Sequence, residues 1–256
     1  MRIARGIEDT TPLFRGESRD TYELKPKIGR VAYHASEAQV LSDFTRYAAA
    51  FGIDQSSLLE RMAIAQHFGL ATRLLDWTRN LLAAAFFATE EKRVGPEAVE
   101  PDGLIHVGLF DTMPRLSPQP ATFDEFHAKE TEIFVNRQEA LTFFPHHSVD
   151  RIQRQAGCFT LFRNPTKPLV DGNGVQLARI RIPGDCKEQF RRDLFLCGTT
   201  QAVLFPDLQG CVAAIHYAFA NKMQDPLVQR VHCGQPPRIL PDLSAEDGAR
   251  AQGLQS

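Results

Sequence analysis

Between Ala65 and Ala88 the chain reads AQHFGLATRLLDWTRNLLAAAFFA. This stretch sets Gln66, His67, Thr72, Arg73, Asp76, Trp77 (the chain's only tryptophan) and Thr78 among apolar neighbours. Polar groups interleaved this tightly with apolar ones must be paired in a core or line a site. Two further residues sit in comparable settings. Arg15 lies between Phe14 and Gly16, where an unpaired charge is costly. Gln155 and Gly157 immediately precede an apolar run. Arg15 is either a buried cation paired with an acid, the reading this fragment favours, or a cation aimed at a phosphate or carboxylate. His67 falls in the last turn of a helix, where capping of free carbonyls is its commoner role.

Elements able to position these residues follow from the pattern. Thr11–Gly16 reads as a strand. Ser36–Phe51 reads as a helix with Val40, Phe44, Tyr47 and Phe51 on one stripe. A second helix starts at Ser57 and stops near Gly69. Ala71–Asp76 reads as a strand in which Arg73 and Asp76 point to opposite faces, so each needs its own partner. Asp76 or Thr78 can cap the next helix, about Arg79–Lys92, which is apolar all round and so belongs inside. Its N-terminus is a natural anion site close to Thr72, Trp77 and Thr78.

Further along, Gly103–Phe110 reads as a strand, Arg151–Phe162 as a polar approach into an apolar strand, and Val175–Ile182 as a strand. Arg179 and Arg181 share the solvated face of the last of these. Asp185–Cys197 reads as a helix and Ala202–Phe205 as a short strand. Pro206-Asp207 opens a final helix to about Ala220, with Leu208, Val212, Ile215 and Phe219 inward. Expected boundaries are a flexible lead over 1–10, a single domain over 11–232, and a polar, partly disordered arm over 233–256.

Composition excludes little. The 256 residues are 43% hydrophobic and 23% charged, with a net charge of −2, so a basic nucleic-acid or membrane surface is not indicated globally. Five scattered cysteines without a CxxC pair point to reduced thiols in a cytoplasmic protein. The adjacent His146 and His147 point apart in regular structure and lack an evident third ligand, so no metal is expected. No apolar run reaches the ~18 residues of a spanning helix, and the expectation is no membrane partner.

These motifs together resemble the FRG-domain family, through Phe14-Arg15-Gly16, then Gln66-His67-Phe68-Gly69, then Thr72-Arg73-Leu74-Leu75-Asp76-Trp77-Thr78 with Ala83 and Phe87-Ala88. Pro145, Arg151, Gln155, Gly157 and Phe159 continue the resemblance, as do Phe205-Pro206-Asp207-Leu208 and Gly210. The layout is similar to the ADP-ribosyltransferase fold, implying an α+β domain with a central mixed or antiparallel sheet in a split arrangement, and several packed helices. That resemblance implies NAD as co-substrate, with Arg15, Thr72 and Gln155 at the three catalytic stations. It implies Arg15, Gly16, Thr72, Arg73, Trp77 and Thr78 against the cofactor, supported by Gln66, His67, Asp76 and Arg151. The third station carries Gln155 where the transferases have Glu. The resemblance implies either that Gln suffices, as in some NAD-cleaving toxins of that fold, leaving NAD hydrolysis, or that Asp76, or Glu130 and Glu132, supply the carboxylate instead.

The implied functions are ADP-ribosyl transfer or NAD hydrolysis in a bacterial toxin or phage-defence component. Implied partners are a protein or nucleic-acid acceptor and an antitoxin or effector. The alternatives are a non-catalytic ligand-sensing or protein-interaction domain, in which Arg15, Arg73 and Asp76 form a buried structural network, and, more thinly supported, a nucleic-acid-processing protein.

Overall fold

The structure is a computed structural model and describes residues 11–53, 57–90, 99–110, 120–134, 139–145, 154–172 and 174–223. The expected N-terminal lead, the whole of the C-terminal arm, Arg151, His146 and His147 fall outside these residues.

Among the described residues, six strands form one antiparallel sheet: β1 (Leu13–Glu17), β2 (Leu74–Thr78), β3 (Gly103–Phe110), β4 (Ala140–Phe143), β5 (Gly157–Phe162) and β6 (Val175–Ile182), in the order β4-β5-β2-β1-β3-β6. The helices are α1 (Glu37–Ala49), α2 (Leu58–His67), α3 (Leu81–Ala88), α4 (Phe123–Ala128), α5 (Glu130–Ile133), α6 (Lys187–Leu196), α7 (Gln201–Leu204) and α8 (Leu208–Ala220). This is an α+β protein, and of the mixed or antiparallel sheet that the resemblance implied the antiparallel form is the one present.

The sheet is two ladders joined at one point. β2 pairs with β5 over five residues and β4 with β5 over four. On the other side β1 pairs with β3 over five, and β3 with β6 over eight. Between the ladders, β1 and β2 share the single register pair Phe14↔Thr78. Each ladder has its own helical cover. Leu74, Phe159 and Leu161 pack under α1, α2, α4 and α5 through Leu41, Leu59, Met62, Phe126 and Ile133. Ile105 and Ile182 pack under α3 and α6 through Ala84, Ala88 and Leu194. A third cluster lies on the opposite face and draws on both ladders, including Ala140 of β4 and Val175 of β6. Since β4 and β6 are the two edge strands, the sheet must curl to bring them to one cluster.

α3 lies close on β1 because Gly16 has no side chain. A Cβ there would stand 1.9 Å from the Ala84 carbonyl oxygen. The alanines of α3 complete this contact, since Ala83, Ala84 and Ala88 are fully buried.

Several expected details differ. The strand expected at 71–76 lies at Leu74–Thr78, and the helix after it is shorter, Leu81–Ala88. Its cap is Asn80, whose side chain accepts from the Leu82 amide at 2.9 Å. Thr78 instead accepts from the Asn80 amide, and Asp76 points elsewhere. Ala202–Phe205 is not a strand: Thr200 caps the single helical turn α7 there. In α1 the buried residues are Glu37, Leu41 and Ala48, Glu37 being paired with Arg73; of the expected stripe Phe44 packs against the core, whereas Tyr47, and Phe51 past the helix end, face solvent. In α8 the expected core stripe is reversed, since small residues (Gly210, Ala214, Ala218) form its buried side.

Candidate functional site

The two ladders part where β1 and β2 diverge, and their covers part with them. A cleft of about 250 Å³ opens there between α2 and α3. It is lined by Arg15, Gln66, His67, Asp76, Thr78 and Gln155 against apolar walls that include Phe14, Ala63, Phe87 and Phe159.

Arg15 stands at its floor. Its Nε donates to Glu17 Oε1 at 2.7 Å. Its Nη1 donates to the Asp76 carbonyl oxygen at 2.9 Å and to Asp76 Oδ2 at 3.3 Å. The guanidinium thus takes backbone hydrogen bonding that a continued β1–β2 ladder would use. Burial alone would lower its pKa, but the attraction of Glu17 and Asp76 outweighs burial and the pKa is raised. Arg15 is thus paired with acids, the reading its fragment favours, and it also lines an open cleft.

Asp76 is exposed on the cleft side of β2 and is oriented from two directions. Arg15 holds Oδ2, and the Gln66 side-chain amide donates to Oδ1. Gln66 is itself fixed: its Oε1 accepts the Thr72 hydroxyl proton, and Thr72 Oγ1 in turn accepts from the Leu74 amide at 3.2 Å. Thr72 is buried and does not line the cleft, so it acts on the cleft through Gln66. Such a chain fixes which edge of the Gln66 amide faces Asp76.

The remaining residues divide between wall and scaffold. The Thr78 hydroxyl donates to the Gln155 carbonyl oxygen, tying β2 to the approach of β5. The Gln155 side chain donates to the Leu204 carbonyl oxygen at 3.0 Å, anchoring α7. Ala156, just after it, has φ of 47°, a left-handed conformation that a residue with a Cβ adopts rarely. Its carbonyl accepts from the Arg79 amide. His67 lines the cleft edge-on to Phe68, with ring centroids 4.9 Å apart. Gly16 reaches the cleft too, although its absent side chain serves α3 packing. Cys158 also lines it, but burial pushes the thiol up to about 12, leaving a poor nucleophile.

Of two residues expected against a ligand, one reaches the cleft and one does not. Trp77 borders the cleft but is 2% exposed, donates from Nε1 to Thr160 Oγ1 at 3.1 Å, and packs edge-on to Phe110. Arg73 lies away from the cleft and meets Glu37 at 2.8 Å. Its Cζ sits 5.0 Å from the Phe126 ring centroid. Of the carboxylates considered for the third station, Glu130 lies on α5 bonded to Arg163 at 2.6 Å, and neither it nor Glu132 lines the cleft; Asp76 does. Among the described residues no cluster of three or more His, Cys, Asp or Glu could hold a metal, and no helix is long and apolar enough to cross a membrane.

Two partners were missed in the sequence. Glu17 is two residues from Arg15 on the same strand face, and period-two spacing could have found it. Glu37 is 36 residues from Arg73 and left no local signal. A third residue, His106, sits opposite Arg15 in the β1–β3 register, 1% exposed with neither ring nitrogen hydrogen-bonded. Burial, then the nearby Arg179 and Arg15, lowers its pKa to about 4, so it is a neutral imidazole beside two cations.

Residues 10–96 match the family model of the FRG domain. That stretch supplies β1, α1, α2, β2 and α3, which means the cleft's Arg15, Gln66 and Asp76 lie inside it and Gln155 outside. No curated protein and no solved structure matches the chain.

Proposed function

We infer that this chain, an FRG-domain protein through residues 10–96, binds NAD or a related nucleotide in the cleft between α2 and α3 and cleaves its nicotinamide–ribose bond. The observation that carries this reading is the joint placement of Arg15 and Asp76 where the sheet parts. A guanidinium and an oriented, solvent-facing carboxylate meet at the floor of a partly apolar cleft. The parting of the two ladders also supports the ADP-ribosyltransferase-like split arrangement.

The volume suits a nucleoside half with its phosphate, the other half lying along the open side. In the reaction, the bond between ribose C1′ and the pyridinium nitrogen breaks and nicotinamide leaves with the electron pair. The cationic sugar that remains is stabilised by the Asp76 carboxylate. Water then adds at C1′ and releases a proton, or an acceptor nucleophile adds in its place, giving transfer. Arg15 contributes positive charge towards the phosphate and holds Asp76. Gln66 and Thr72 orient Asp76. Gln155 shapes the wall and cannot act as a base. A toxin or defence role, with a protein or nucleic-acid acceptor and a controlling partner protein, fits an activity that consumes NAD.

A second reading, a non-catalytic ligand-sensing domain, is favoured by one observation: Arg15 is already matched by two carboxylates, Glu17 and Asp76. Incubation with NAD separates the two, following free nicotinamide and labelled ADP-ribose. Nicotinamide release lost in Asp76→Asn supports the enzyme. NAD binding without release supports the sensing domain. Neither binding nor release at millimolar NAD overturns the nucleotide reading.

A further inference from the structure

α8 runs from Leu208 to Ala220 without one Asp, Glu, Lys or Arg. Its inward side consists of Gly210, Ala214 and Ala218, which let the helix lie close to its neighbours. A Cβ on Gly210 would stand 2.0 Å from the Phe205 carbonyl oxygen. Its large apolar residues therefore point outward: Leu208 is 80% exposed, Val212 42%, Ile215 44% and Phe219 82%. Their spacing of four, three and four is that of a coiled-coil seam, and it lays them along one edge roughly 16 Å long. A surface helix normally turns its apolar stripe to the core and its charges to water. Here the stripe faces water and no charge accompanies it, the pattern of a face that is covered in use.

Charge decides the occupant. A helix that lies on a membrane meets anionic headgroups with Lys and Arg, and α8 has neither. A charged protein partner would find nothing on the helix to select it. A second copy brings uncharged seam onto uncharged seam. The nearest charges in sequence are Asp207 before the helix and Lys222 after it, both exposed. In an antiparallel pair Asp207 lies near Lys222 of the partner subunit, and the opposed helix dipoles add to the attraction. A parallel pair would set like charges together. Across the two-fold axis Leu208 meets the partner's Phe219, and Val212 meets the partner's Ile215.

We propose that the exposed stripe of α8 is the antiparallel, two-fold seam of a homodimer of this chain. One helix pair is smaller than a standard interface, so association falls in the micromolar range.

Sedimentation of the full 256-residue chain from about 1 to about 100 µM tests this. The wild type is expected to move from 28.7 kDa toward twice that mass. Ile215→Lys, which sets like charges beside the axis, is expected to stay at 28.7 kDa with an unchanged melting curve. Should it fail to fold, Val212→Lys probes the same contact. Lys222→Glu faces the partner's Asp207 and is expected to raise the dissociation constant about tenfold, or ~1.4 kcal/mol. A wild type that remains monomeric throughout overturns the proposal, as does an Ile215→Lys variant that folds and dimerises like wild type. A chain ending at Met223 that dimerises where the full chain does not also overturns it, because residues 224–256 would then be the cover. Binding of monomer to anionic vesicles, lost in Ile215→Lys, would overturn it in favour of a lipid surface.

Discussion

Arg15 and Arg73 are two arginines of one domain, each matched by carboxylates, and their surroundings differ. Arg73 is closed in. Its guanidinium meets Glu37 Oε2 from both Nε and Nη2 at 2.8 Å, its backbone amide donates to Glu37 Oε1, and the Phe123 and Phe126 rings cover it. Arg15 sits in the gap between two ladders, and its partner Asp76 has a side chain 59% exposed to the cleft. A closed pair of this kind fastens α1 to the start of β2. An open pair holds charge where a ligand can reach it. Position in the sheet, not residue type, separates the closed pair from the open one.

The largest expected effect breaks the closed pair. Arg73→Ala leaves Glu37 buried without its cation and should lower unfolding free energy by about 3–5 kcal/mol, read from urea midpoints. If it costs no more than Arg15→Ala, the contrast between the two pairs is lost.

Next comes the contact that seats α3 beside the open pair. Gly16→Ala drives a methyl into the Ala84 carbonyl. Overpacking against backbone should cost roughly 1–3 kcal/mol, measured the same way. A neutral result would mean that α3 is free to move off β1.

His106, on β3 opposite Arg15, gives a pH-dependent version of the comparison. Its folded pKa is lowered from 6.5 to about 4. Between those values the unfolded chain takes up a proton that the folded protein refuses. The contribution is therefore complete above 6.5 and is lost as pH falls towards 4, about 3 kcal/mol in all. His106→Phe should flatten the urea midpoint across that window. An unchanged slope would show that another group is responsible.

How much of this was legible in sequence depends on range. The dense stretch from Ala65 and the apolar α3 follow from local pattern, and the α+β character with a mixed or antiparallel sheet came from the family resemblance. Arg15, Gln66, Asp76 and Gln155 were all singled out, and the fold brings them to one cleft. What pattern could not give was set by distant partners. Glu37 adds a polar residue to the buried side of α1, so that of its aromatic stripe Phe44 packs inward while Tyr47 faces solvent. Trp77 borders the cleft, but the burial of its ring and its bond to Thr160, 83 residues away, left no local signal. The stripe on α8 was read as core because periodicity finds an apolar face without saying what it faces.

The smallest effect on stability should come at the open pair itself. Asp76→Asn keeps the side chain's shape, and an exposed pair contributes about 0–1 kcal/mol. Its effect should appear in chemistry, because Asn cannot stabilise a cationic sugar. The direct test is nicotinamide release from NAD by wild type and Asp76→Asn, alongside their urea midpoints. Release by the wild type, lost in Asp76→Asn with stability within about 1 kcal/mol, is the predicted result. Equal release by both proteins, or loss of release only with loss of fold, would contradict the assignment of function to the open pair.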